Sequence, residues 1–64
     1  MLLLEFIRTF SSDTMVVINN KYNEKIYHGT TKMFMKEIDS DLITRFEIGE
    51  AFIRHNTVYI SEMR

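Results

Sequence analysis

The 64-residue chain has no cysteine, no proline and no tryptophan, and only two glycines, Gly29 and Gly49. Without cysteine there can be no disulfide framework, no thiolate zinc knuckle and no thiol nucleophile. The same absence fits a reducing compartment. Two isolated glycines cannot build a phosphate-cradling loop. No long hydrophobic run is present either. The opening Leu2-Leu3-Leu4-Glu5-Phe6-Ile7-Arg8 is far short of the roughly 18 apolar residues that span a bilayer. It also lacks the basic start and small-residue cleavage site of a signal peptide. A cytoplasmic protein is expected, with no membrane partner. Nor is there an excess of one charge: eight Lys and Arg face nine Asp and Glu, for a net charge of −1. That balance argues against a dedicated nucleic-acid binder, which carries a basic excess, and equally against an acidic DNA mimic.

What is present is a chain with 45% hydrophobic residues, which reads as a single domain over residues 1–64. A domain of this size buries only about 60% of its unfolded surface. Small scaffolds add disulfides, a metal or a second copy to be secure, so a homodimer is expected.

Leu3, Phe6, Ile7 and Phe10 fall at i, i+3, i+4 and i+7, one apolar stripe of a helix running to about residue 10. Ser11-Ser12-Asp13 ends it, because these side chains compete for backbone hydrogen bonds. Thr14–Ile18 is β-branched and reads as a strand, residues 19–23 as an asparagine-rich turn, and Glu24–His28 as the returning strand. Gly29-Thr30-Thr31 is expected to break that strand and to offer a threonine N-cap to a second helix. Phe34 and Ile38 sit four apart on it, and it is expected to end near Ile38, before Asp39-Ser40-Asp41. A third strand covers Phe46–Ile53 with Gly49 as a bulge, Arg54-His55-Asn56 turns, and Thr57–Glu62 alternates with Val58 and Ile60 inward. The order predicts an α+β fold: a small α-β-β-α-β-β domain with a mostly antiparallel four-stranded sheet and two short helices on one face. Its expected core is Phe6, Ile7, Phe10, Val16, Ile18, Ile26, Phe34, Ile38, Phe46, Ile48, Val58 and Ile60.

The leucine-rich first helix, Ser12-Asp13-Thr14-Met15-Val16-Val17-Ile18, Ile26-Tyr27-His28-Gly29-Thr30, Leu42-Ile43-Thr44-Arg45-Phe46-Glu47-Ile48 and the closing Asn56-Thr57-Val58-Tyr59-Ile60 together resemble small accessory proteins of Gram-positive phages and mobile elements. The resemblance spans nearly the whole chain and carries no catalytic motif. It implies a protein of the host-cell cytoplasm that binds and inhibits a host protein, as some of those proteins do with CRISPR nucleases and other anti-phage systems. The matched Gly29 and Tyr59 look like fold determinants rather than site residues.

No constellation in the sequence points to chemistry. His28 and His55 lack metal-ligand spacing, and Asp39 and Asp41 read as a helix stop rather than a cation site. Ser11, Ser12 and Asp13 lack a nucleophile turn. No enzyme activity, cofactor or metal is expected. Charge is more informative. Residues 21–36 hold Lys21, Lys25, Lys32 and Lys36 against Glu24, a sum of +3. Residues 37–50 hold Glu37, Asp39, Asp41, Glu47 and Glu50 against Arg45, a sum of −4. Tyrosine and methionine are favoured contact residues, and charge steers association. The expected partner-binding residues are therefore Lys21, Tyr22, Lys25, Tyr27, Met35, Asp39, Asp41, Glu47 and Glu50. Two alternatives remain: a nucleic-acid-associated regulator stacking bases on Tyr22 and Tyr27 beside Lys21 and Lys25, and a structural or assembly subunit.

Overall fold

A computed structural model of the chain describes residues 2–37 and 44–64. The elements are α1 (Leu3–Ile7), β1 (Met15–Asn19), β2 (Lys25–Thr30), α2 (Thr31–Glu37), β3 (Ile48–Arg54) and β4 (Thr57–Glu62). The expected order of elements is the order found. The strands form one sheet in the order β2-β1-β4-β3, two antiparallel hairpins joined by a parallel pairing of β1 with β4. The parallel pair is the centre of the sheet, flanked by β2 and β3. It follows that β2 and β3 are the two edges.

Alternation sets the faces. Val16, Ile18, Val58 and Ile60 are fully buried against Leu3 and Ile7 of α1, Phe34 of α2 and Phe46. Both helices thus cover the same sheet face. Phe6, Phe10, Ile26 and Ile48 pack around this cluster half-buried, as a rim rather than as interior. Phe6 and Phe10 meet edge to face with centroids 5.2 Å apart, a favoured aromatic geometry. Ile38 lies outside the described residues.

Beyond one-residue shifts at element ends, three boundaries differ from the sequence expectation. The α-helical part of α1 stops at Ile7, and residues to Phe10 continue as turns closed by Thr9 N–H to the Phe6 carbonyl and Phe10 N–H to the Ile7 carbonyl. The stripe therefore keeps its phase without a regular helix. Gly29 and Thr30 do not break the second strand, because they pair with Val16 and Met15. Thr30 then does double duty: its hydroxyl accepts from Met33 N–H at 3.2 Å, the expected threonine N-cap, on the residue just before α2 begins. The next amides of α2 find the loop after α1. Thr31 N–H donates to the Thr14 carbonyl and Lys32 N–H to the Ser12 carbonyl, both at 3.0 Å, while the buried Thr31 hydroxyl donates to Ser11. Those contacts satisfy the orphan donors of a helix start and fix α2 to α1. The third strand begins at Ile48, and its register shifts between Ile48 and Glu50, which is the bulge expected at Gly49.

Candidate functional site

The opposite face of the sheet carries no packed element among the described residues. One cross-strand row runs over it through His28, Val17, Tyr59 and Phe52. Val17 is nonetheless buried, sheltered by its row neighbours. Phe52 stacks on Tyr59 with centroids 5.1 Å apart and planes 16° from parallel, and is 48% exposed.

The candidate partner-binding residues distribute as follows. Lys21 and Tyr22 occupy the tip of the β1–β2 hairpin, and Lys25 begins the adjoining edge strand. The tip is built by one asparagine. The Asn20 side-chain carbonyl accepts from Tyr22 N–H and Glu24 N–H, both at 2.9 Å, and its amide donates to Glu24 Oε1 at 3.2 Å. Asparagine forms such self-capping turns readily. Asn23 takes the left-handed backbone the turn needs, with φ of 65°, a conformation asparagine tolerates. A further bond anchors the tip to the other hairpin: Lys21 N–H donates to Glu62 Oε1 on β4 at 3.0 Å. The Tyr22 ring is left 73% exposed, with Lys21 Nζ 5.6 Å from its centroid, within cation–π range.

Glu50 of β3 comes to the same end of the sheet. Asn20, Asn23, Gly49, Glu50, Ser61 and Arg64 line a hollow of about 420 Å3 beneath the tip. Space therefore changes the charge reading. Glu62, which accepts from Lys21 N–H, and Glu50, which lines the same hollow as Asn20 and Asn23, bring acidic side chains of the second hairpin beside the tip of the basic stretch 21–36. Lys32 and Lys36 are carried away on α2.

Tyr27 is a correction. It does not present a face for a partner, because its ring packs edge-on to Phe34 with centroids 5.3 Å apart and its hydroxyl donates to the Thr30 carbonyl at 2.8 Å. Burial, with the Glu37 carboxylate as a lesser cause, pushes its phenol above the ordinary value. Met35 is exposed on α2 beside a small groove between the helices, and Met33 is exposed to the same degree, so neither methionine joins the core. Glu47 is exposed and bridges to Leu2. These two lie apart from the hairpin tip, and Asp39 and Asp41 lie outside the described residues. The signal that sequence reading missed is Glu62, whose role depends on a contact 41 residues away in the chain. No helix among the described residues is long and apolar enough to cross a membrane. Compared with protein families, curated proteins and solved structures, the chain matches none.

Proposed function

We propose that the protein acts by binding another protein, and that the tip of the first hairpin is its contact. The observation that carries this reading is the exposed Tyr22 on a backbone fixed by Asn20 and Glu62. A rigid tyrosine offers a large amphipathic contact at low entropic cost, and such anchors dominate binding energy at interfaces. Cations interleaved with anions around the tip favour orientation and partner choice over bulk attraction. The same interleaving disfavours the nucleic-acid alternative, since phosphate contact needs a basic excess. The resemblance to phage accessory proteins supplies the class of partner: a host protein of an anti-phage defence, such as a CRISPR nuclease, inhibited by occlusion rather than by chemistry.

The test uses tagged wild type and Tyr22→Ala in nuclease-treated host lysate. Tyr22 touches no core residue, so the variant keeps its melting temperature. A protein partner held by wild type and lost by Tyr22→Ala supports the reading. A partner released by nuclease sinks it in favour of the nucleic-acid alternative, and one held equally by both chains removes the hairpin tip from the contact.

A further inference from the structure

The edge strand β3 has a pattern that the function proposed above does not use. Among the described residues nothing pairs with its outer side. Phe52 on one face and Ile53 on the other are 48% and 64% exposed. Natural edges are blunted by lysine, proline or an irregularity. The other edge has two of these devices, Lys25 and the register shift opposite Ile18 and Asn19. The stretch Glu50–Arg54 has no lysine, no proline and no irregularity after the bulge at Gly49, and its charges, Glu50 and Arg54, stand only at its two ends.

Its hydrogen-bonding phase follows from the turn. Arg54 and Thr57 close a two-residue loop and are paired, so they form a hydrogen-bonded pair, as do Phe52 and Tyr59 two residues further on. Ala51 and Ile53 therefore direct their N–H and C=O groups away from β4. A second copy approaching antiparallel can bond only in registers that place these outward residues opposite one another. In the register centred on Phe52, Ala51 of each copy faces Ile53 of the other and both exchange hydrogen bonds. The two Phe52 residues then face each other, and Glu50 of each copy stands opposite Arg54 of the other. Centring on Ala51 would instead oppose Glu50 to Phe52, and centring on Ile53 would oppose Phe52 to Arg54. Neither alternative brings Glu50 of one copy opposite Arg54 of the other. Among the described residues neither the Glu50 nor the Arg54 side chain has a hydrogen bond or ion pair.

We propose that β3 is a self-association edge: two copies pair antiparallel about Phe52, joining their sheets into one of eight strands, with a Glu50–Arg54 pair at each end of the contact. Opposite charges directly across strands, facing aromatics and a covered Ile53 all favour this arrangement. It is self-complementary, as a two-fold interface must be. It shares Glu50 with the surroundings of the hairpin tip but leaves Tyr22 uncovered, so Tyr22→Ala capture and the charge reversals read the two proposals separately.

Sedimentation equilibrium of the full chain, over about 1 to 100 μM to bracket micromolar affinity, should show the mass rising from 7.7 kDa towards twice that value. Glu50→Arg and Arg54→Glu each oppose like charges at both ends, and each should weaken association roughly tenfold or more. The double reversal restores both pairs and should return it to within about threefold of wild type. Register is read separately. Facing residues of a non-hydrogen-bonded pair lie about 4.5 Å apart at Cα, within disulfide reach, and the chain has no other cysteine. Phe52→Cys should form a covalent dimer on mild oxidation much faster than Ala51→Cys or Ile53→Cys. A wild type that stays at 7.7 kDa throughout, single reversals without effect, a double reversal that fails to rescue, or preferential linking through position 51 or 53 would each overturn the proposal.

Discussion

The first hairpin turns around one asparagine side chain, the second on two left-handed residues. Asn20 gathers the amides of Tyr22 and Glu24 in the first, whereas His55 and Asn56 in the second both take left-handed angles, with φ of 52° and 61°. Two consecutive left-handed residues match the twist of the strands they join. The outer strands differ more. On β2 the Tyr27 ring lies over Gly29 and against Phe34, so α2 covers the helix-side face of that strand. On β3 the corresponding positions are Ala51 and Ile53, both exposed. In the second hairpin the buried residues are Val58 and Ile60 of β4, so the surface available for a partner copy falls on β3. One sheet thus carries a buttressed edge and an open one.

That asymmetry is broken most directly in the core. Phe34→Ala removes a fully buried ring beneath the first hairpin and should cost about 3–5 kcal/mol, enough to unfold most of a marginal small domain. Phe52→Ala removes a half-exposed ring whose main partner is Tyr59, and should cost about 1 kcal/mol in dilute protein. Urea titration of the two variants at low micromolar concentration compares them. Equal losses would mean that the second hairpin is as deeply supported as the first.

The glycines sharpen the comparison at the next level down. A Cβ on Gly49 would come within 2.8 Å of Met63 Cα and 3.0 Å of Met63 N, and that backbone is held by Met63 N–H donating to the Glu47 carbonyl at 2.7 Å. Gly49→Ala should therefore cost about 1–3 kcal/mol, the range of overpacking that backbone cannot relieve. A Cβ on Gly29 would meet the Tyr27 hydroxyl at 2.7 Å. That is the far end of a side chain, which can swing away at the loss of one hydrogen bond, about 1 kcal/mol. Thermal melts should rank Gly49→Ala below Gly29→Ala; the reverse order would show that the phenol, not the bulge, is the rigid partner.

Much of this fold was legible in residue pattern. The period-2 run Thr57–Glu62, with Val58 and Ile60 inward, has the bounds and phase expected of it, and the bulge at Gly49 follows from a glycine inside a strand. Val17 shows where pattern stops. It sits in the outward phase yet is buried by cross-strand neighbours, which no single-strand periodicity contains. The parallel pairing of β1 with β4 is likewise a property of topology, since hairpins alone do not say which strands become central. The candidate site was legible in part: Lys21, Tyr22 and Lys25 cluster because they are neighbours in sequence. Glu50 and Glu62, which bring acids to the same end of the sheet, arrive only through strand pairing. Tyr27 was misread because its alternation partner Gly29 leaves a gap that the ring fills, and a ring over glycine is a packing device that resembles an exposed aromatic in sequence.

The smallest effect concerns that ring and isolates the first hairpin by pH. The Tyr27 hydroxyl donates to the Thr30 carbonyl at 2.8 Å, next to the start of α2. Tyr27→Phe should cost about 1 kcal/mol at neutral pH, the net worth of one part-buried hydrogen bond. Burial raises the phenol above its ordinary value, with Glu37 adding a smaller push in the same direction. A raised value means that folding favours the neutral phenol. Its contribution is complete below the ordinary phenol value of about 10 and is lost as pH climbs through the raised one. The stability gap between wild type and Tyr27→Phe should thus be constant from neutral pH to about pH 9 and close above about pH 10, because a phenolate cannot donate to Thr30. Lysines also titrate in that range, but they are common to both chains and cancel in the difference. Urea midpoints at a series of pH values measure the gap directly. A gap that stays constant through the alkaline limb would place the Tyr27 hydroxyl in water, and with it would go the account of how α2 supports the guarded edge.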